Sequence, residues 1–485
     1  MNVILIVIDA VRAKELGCYG GSDQISPNID RLAKEGVLFE NAYCCVNATD
    51  PSLTTIFTGQ YPIHHGILKH GPQIEKDEIQ SFFKNNPKTI STILKSQGYI
   101  TLAVDWLGRW HRIGYDYYTG IVKENSNLSG ETQEYKESGN LQRYLVSKLQ
   151  RFPRLFRLAK TFNYKILRKR AKEESPALIF GDADTVTNKA KKLIHENRDK
   201  DFFIFVHYWD THSPYYCPSS YAKRYYNPAD DKNTEEIAKE IKNPERRDVI
   251  KNLGTSVNEI IARYKGAIEF VDGKIGEIVE MLGDLDILDQ TLLIVTSDHG
   301  ESLTEHGIYF DHHGLYDPEI RVPLILKHPN IKNKRIEGFV QHIDILPTIL
   351  DILGLQIKGE FDGKSLLPLI NGEVSEIRNR DFVFVEEAHT QRKMSIRTTK
   401  YKYIKSLSKQ EAICKYCGII HGGLEELYDL ECDPGETKNI INDYPEVAKV
   451  MSEKISDFII SIKNKKHQRE IMRKKIKHLK TTKKI

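Results

Sequence analysis

The chain opens on Asn2-Val3-Ile4-Leu5-Ile6-Val7-Ile8-Asp9, a short unbroken apolar run that ends on a carboxylate. The run is rich in β-branched residues and does not alternate with polar ones. That is the pattern of a strand covered on both faces, as in a parallel sheet. It also resembles a signal-peptide core, but no basic residues precede it, no small-residue cleavage site follows, and Asp9 interrupts it. Comparable runs follow at Tyr99–Val104, Phe202–His207, Leu292–Ser297 and Val322–Lys327. Helical patterns separate them. Ser26-Pro27 offers an N-cap and a first-turn proline for Asn28–Glu35, which Gly36 ends. Thr89–Gln97 stops at Gly98, Thr255–Leu282 is long and amphipathic, and Ile343–Leu353 closes at Gly354. Alternating strands and helices predict an α/β fold, a large and mostly parallel sheet flanked by helices.

Past about Ile377 the rhythm changes. Phe382–Glu386, Lys393–Arg397 and Tyr401–Ile404 alternate as antiparallel strands do, and a helix follows from Glu446 to about Ile462. The expected organisation is a main domain over 1–377, a small C-terminal α+β subdomain over 378–462 and a basic tail over 463–485. No internal repeat is present.

Composition narrows the class. At 40% hydrophobic and 28% charged residues, the 485-residue chain reads as a globular protein. No apolar run approaches the roughly 18–20 residues of a membrane helix. Seven cysteines at uneven spacing argue against a disulfide framework, so a cytoplasmic location is expected. The net charge of +4 conceals a basic tail, with eleven Lys/Arg against the single acid Glu470 from Ile462 to Ile485. A second basic stretch lies inside the insertion 112–176, where Arg151–Lys172 holds nine basic residues, no acid and interleaved apolar ones. It reads either as an amphipathic helix docked on the protein, or as an interfacial helix giving peripheral contact with a membrane or anionic substrate. The tail reads as a solvated end or as a contact for anionic lipid; no specific nucleic acid is expected.

Residues able to do chemistry fall at the expected strand ends, where open parallel sheets bind ligands. Asp9 follows the first strand, Thr49-Asp50-Pro51-Ser52 opens a helix that runs to Gly59, and Asp298-His299-Gly300-Glu301 follows Leu292–Ser297. His111, His212 and the pair His312-His313 complete the set. Each has a plain alternative, a helix cap for Asp9 or a core histidine for His111. Their convergence on one sheet edge is the stronger observation.

Six blocks in order carry a resemblance to the sulfatase family of the alkaline phosphatase superfamily. They are the opening NVILIVIDAVRAKELGCYG at Asn2–Gly20, TDPSLTTIFTGQYP at Thr49–Pro62, Gly108-Arg109-Trp110-His111, Asp210-Thr211-His212-Ser213-Pro214-Tyr215, SDHGESLTEHGIYFDHHGLYDPEIRVPL at Ser297–Leu324, and ELYDLECDPGETKN at Glu426–Asn439. The resemblance implies that Asp9, Asp298, His299 and Thr49 hold one divalent cation (manganese, magnesium, calcium or zinc), with Thr49 as the nucleophile. It further implies that Arg109, His111 and His212 bind the substrate anion and that His313, or alternatively His312, is the general acid at the leaving group.

Three departures redirect the chemistry. Thr49 stands where the family has the cysteine or serine that becomes formylglycine, and its β-methyl excludes that conversion, so no formylglycine is expected. Leu53 replaces the usual arginine and Ala10 the usual second aspartate. Threonine has no second hydroxyl with which to expel sulfate, whereas a threonine phosphate can be released by water or passed to an alcohol. A phosphate or phosphodiester substrate, with a sugar, lipid headgroup or nucleotide as its alcohol, is therefore expected ahead of a sulfate ester. The alternatives are a sulfuric ester hydrolase working without formylglycine, a two-metal relative, and a non-catalytic anion-binding member. Separately, Cys414, Cys417, His421 and Cys432 are candidates for a structural zinc knuckle.

Overall fold

The first strand, β1 (Asn2–Ile8), is buried at every position and lies between two parallel neighbours. In this computed structural model, residues 1–22, 24–85, 87–119, 181–357, 361–375 and 380–482 are described. In chain order the further strands are β2 (Val37–Phe39), β3 (Ala42–Tyr43), β4 (Ile100–Val104), β5 (Tyr117–Tyr118), β6 (Phe202–Tyr208) and β7 (Thr291–Ser297). Then come β8 (Leu324–Lys327), β9 (Lys334–Ile336), β10 (Val340–Gln341), β11 (Val383–Glu387), β12 (Lys393–Arg397), β13 (Tyr401–Ser406) and β14 (Glu425–Asp429). Eight of them form one sheet in the order β5-β4-β6-β1-β7-β8-β2-β9, in which β8 alone runs antiparallel to its neighbours.

Because successive side chains of a strand point to opposite faces, β1 feeds two apolar layers. Ile4, Ile6 and Ile8 join a cluster with Ala190, Leu193 and Ile194 of the helix Ala183–Asn197 and with Ile268, Val271 and Ile275 of the helix Val257–Asp284. Val3, Leu5 and Val7 join the other, with Leu53, Ile56 and Phe57 of the helix Thr49–Thr58 and with Ile90, Ile93 and Leu94 of the helix Ile90–Ser96. The sheet is thus covered on both sides, as its continuous apolar strands require.

The helix ends follow local chemistry. Thr89 forms a capping box with Thr92, and Ser256 accepts a hydrogen bond from Glu259 N. Ser26 sits at the N-cap position of Pro27–Glu35 but caps no amide; its hydroxyl donates to Asp30 Oδ1 and accepts from Gly17 N. The expected strand Val322–Lys327 begins two residues later, and the helix Ala183–Asn197 was not anticipated.

The C-terminal sheet is antiparallel throughout, in the order β11-β12-β13-β14, and the helix Pro445–Thr482 packs on it through Ala448, Met451 and Ile455. That helix continues well past Ile462, into the segment expected to be a tail. The basic stretch Arg151–Lys172 lies outside the described residues. Among the described residues, no helix is long and apolar enough to cross a membrane.

Candidate active site

Strands β1, β4, β6 and β7 are parallel, so their carboxyl ends share one edge, and the chemistry-bearing residues gather there. Asp9 leaves β1, and Asp298-His299 leave β7. Ala10 adopts φ 56°, a left-handed conformation that is uncommon for a residue with a Cβ, and its N–H donates to Asp298 Oδ1 at 3.1 Å. Gly300 is required where it stands: a Cβ there would lie 2.0 Å from the Pro318 carbonyl oxygen.

The helix Thr49–Thr58 is buried along its whole length and aims its N-terminus at the same point. Its threonines turn their hydroxyls onto the preceding turn, Thr54 to Asp50 O at 2.6 Å and Thr55 to Pro51 O at 2.9 Å, so no hydroxyl is stranded in the core. Gly59 then ends it in the left-handed conformation, φ 64°. Thr49 Oγ1 lies 3.5 Å from Asp9 Oδ2 and 3.4 Å from His299 Nε2. Asp9, Asp298 and His299 are fully buried, and their ligand-capable atoms lie within 4.8 Å of one another. Asp9 Oδ1 and Asp298 Oδ2 have no hydrogen-bond partner among the described residues. Burial, with Asp298 and Glu301 adding like charge, pushes the Asp9 carboxyl well above the usual range. A pair of buried carboxylates in this condition fits a bound cation. Behind Asp9, His207 places Nε2 at 3.9 Å and anchors Nδ1 on Asp105 at 2.9 Å.

Three histidines share one arrangement. Nδ1 donates to a carbonyl in His299 (Gly300 O, 2.8 Å), His212 (Ser213 O, 2.6 Å) and His312 (Asn47 O, 2.6 Å). A carbonyl can only accept, so each ring keeps its proton on Nδ1 and an open lone pair on Nε2. The His312 ring stacks on His299 with centroids 4.0 Å apart. Burial, reinforced by the neighbouring imidazoles, lowers all three, His299 to about 3.

Of the two adjacent histidines, His312 is the one whose ring faces this group. His313 turns away, its Nε2 lying 3.3 Å from Cys417 Sγ, in a buried group with Cys414 and His421. Cys432 is exposed in the turn after β14 and stands outside that group, so the expected zinc knuckle loses it and gains His313.

Arg109 and His111 are held by a residue the sequence left without a role. The buried Asp50 carboxylate receives Arg109 Nη1 at 3.1 Å and Gly71 N at 2.8 Å and lies 2.9 Å from His70 Nδ1, while His111 Nε2 lies 3.3 Å from its carbonyl. Burial alone would raise Asp50, but His70, Arg109 and His111 outweigh it and hold the carboxylate far below its usual range. His389, 5.5 Å from the His70 ring, completes this wall. Neither His70 nor His389 sits in a periodic element, and no spacing marked them. Asp210, a fragment of the two-metal alternative, accepts from Ala183 N at 3.0 Å and so caps a helix. Leu53, where the family carries arginine, is fully buried in the apolar layer.

The family model described as Sulfatase matches residues 1–355, and the model for the C-terminal region of N-sulphoglucosamine sulphohydrolase matches residues 304–461. The chain belongs to the sulfatase family. It is 24% identical over 481 residues to the uncharacterized sulfatase YidJ of Escherichia coli K12, covering 96% of this chain and 88% of that protein. Two solved structures share the fold. One, in complex with its substrate D-glucosamine-2-N,6-O-disulfate, superposes with a TM-score of 0.67 at 19% identity, covering 96% of this chain and 98% of its own. The other, a phosphonate monoester hydrolase of Agrobacterium radiobacter, gives 0.64 at 20% identity with 96% of each chain covered.

Proposed function

We propose that this chain is a metal-dependent hydrolase or transferase acting on a phosphate or phosphodiester ester, with Thr49 as the nucleophile. The observation that carries this reading is the position of Thr49 Oγ1, at a buried helix N-terminus within 3.5 Å of both Asp9 and His299. Cleavage of a sulfate ester is the second reading, favoured by the sulfatase relatives.

Asp9, Asp298, His299 and Thr49 would hold one divalent cation, two carboxylates with an imidazole and a hydroxyl suiting manganese, magnesium, calcium or zinc. When bound, it would neutralise developing charge and lower the pKa of the Thr49 hydroxyl. With its hydroxyl proton given up to solvent, Thr49 Oγ1 would attack phosphorus, forming a new P–O bond as the bond to the alcohol breaks. The amides at the start of Thr49–Thr58 favour the negative charge that gathers there. Arg109, 37% exposed at its side chain, and His111 are placed to grip the anion's remaining oxygens. An arriving anion raises the pKa of nearby imidazoles, so His312, or His212 beside it, takes one proton from solvent at Nε2 and gives it to the departing alkoxide. In this role His312 takes the place first given to His313. Water, or an acceptor alcohol, then attacks phosphorus, giving its proton to the now neutral histidine, and the Thr49 oxygen leaves and regains a proton from solvent.

The test is parallel turnover of p-nitrophenyl phosphate, bis-p-nitrophenyl phosphate and p-nitrophenyl sulfate, with each metal added and after chelation. Chelator-sensitive phosphoester cleavage that falls at least about 10³-fold in Thr49→Ala is expected. Cleavage of the sulfate alone, or turnover that survives Thr49→Ala, overturns the proposal.

A further inference from the structure

The group around His313 is built from four chemically matched ligands brought together from distant parts of the chain. Cys414, Cys417 and His421 lie between β13 and β14, and His313 arrives from the loop after β7, 104 residues before Cys417. All four are buried, and one ligand atom from each lies within 4.8 Å of every other. For zinc, with Zn–S near 2.3 Å and Zn–N near 2.0–2.1 Å, a tetrahedron has S···N edges of about 3.5 Å. The Cys417 Sγ to His313 Nε2 separation is 3.3 Å. His421 is only 2% exposed, and neither of its ring nitrogens makes a hydrogen bond of normal geometry among the described residues, the Cys414 thiol being its neighbour. A buried imidazole left so is costly unless a ligand takes its lone pair.

The surroundings complete the pattern. His313 presents Nδ1 to Asp311 Oδ1 at 3.3 Å, and Asp311 is fixed in turn by Arg246 at 2.8 Å. Metal-bound histidines are commonly oriented by a carboxylate on the opposite ring nitrogen in this way. Lys393 Nζ holds the His421 carbonyl at 2.6 Å, and Cys414 Sγ accepts from Cys417 N at 3.4 Å, a turn that points both sulfurs inward.

We infer that His313, Cys414, Cys417 and His421 form a tetrahedral zinc site, separate from the candidate catalytic centre, that ties the C-terminal sheet to the active-site loop. All four positions are protein ligands, which is the closed arrangement of a structural zinc rather than a catalytic one. Its consequence for the active site is positional. Asp311 Oδ1 also accepts His312 N at 2.8 Å, so the zinc-bound His313 and its carboxylate fix the backbone from which His312 reaches His299. The inference stands whichever ester the enzyme cleaves.

The experiment is metal analysis of the purified full chain, followed by cobalt substitution and absorption spectroscopy. One zinc that resists a mild chelator is expected, and its cobalt replacement shows thiolate-to-metal charge transfer with tetrahedral d–d bands. Cys417→Ser and His313→Ala should each lose that zinc, while Asp298→Asn and Cys432→Ser retain it. The wild-type spectrum decides the matter even if a ligand variant fails to fold. A cobalt spectrum without a thiolate band, a Cys414–Cys417 disulfide in the purified protein, or loss of the zinc in Cys432→Ser overturns the assignment.

Discussion

Lys402 is a buried cation whose removal has a calculable cost. It lies on β13 with its side chain fully buried, its Nζ 2.7 Å from Asp317 Oδ1 and in contact with Glu436. This cluster joins the C-terminal sheet to the loop before β8. In Lys402→Met, Asp317 retains Arg397 at 3.5 Å, but among the described residues Glu436 keeps only the amide of Asp317 at 2.7 Å. Breaking a buried pair from one side costs about 3–5 kcal/mol. At about 2.1 cal/mol/K per residue, the unfolding entropy of a 485-residue chain is about 1 kcal/mol/K, so Tm falls by roughly 3–5 °C. Burial, only partly offset by Lys402, already raises Glu436 to about 7. Without the lysine it rises further, the folded state holds the proton, and stability falls as pH rises above the unfolded value of about 4.5 through 7 and beyond. Differential scanning calorimetry across that range is the assay, with Lys400→Met as the exposed control and Lys402→Met/Glu436→Gln as the rescue. A Tm unchanged in Lys402→Met, or a loss that shrinks with rising pH, would refute the reasoning.

Three further outcomes are expected. Asp298→Asn should weaken manganese binding at least about 100-fold in equilibrium dialysis while the folded far-ultraviolet spectrum is kept. His312→Ala should slow cleavage of alkyl phosphoesters by about 10²–10⁴-fold and of p-nitrophenyl esters much less, because a good leaving group needs no proton; equal losses on both would remove its role as the acid. Glu305 lies far below its usual 4.5, since Arg12 and Lys14 outweigh the raising effect of burial. Its stabilisation is therefore complete above pH about 4.5 and is lost as pH falls towards the folded value. Acid titration of Glu305→Gln should show a shallower decline below pH about 4.5 than the native chain does.

What could be read from the sequence divides along physical lines. The strands β1, β4, β6 and β7 were legible because burial on both faces leaves a continuous apolar run. The two- and three-residue strands β2, β3, β5, β9 and β10 have no room for a period. Asp9, Asp298 and His299 could be placed together because parallel strands share a carboxyl edge. His70 and His389 could not, since loop residues carry no periodic mark, and the role of Asp50 depends on them. That His312 faces His299 while His313 faces Cys417 is a matter of ring direction, which adjacency in sequence does not encode. Cys414 and Cys417 drew attention by spacing, whereas their partner His313 could be found only once the chain was folded.

Leu53 limits where this protein can go in evolution. The residue sits in the apolar layer beneath the site, fully buried, in the same cluster as Val7 and Phe57. An arginine there would force a guanidinium into closely packed hydrocarbon. An arginine at this position would therefore need its neighbours repacked as well, so the substitution alone is expected to cost stability. The packing beneath the site thus restricts which side chains the nucleophile helix can carry on its inward face.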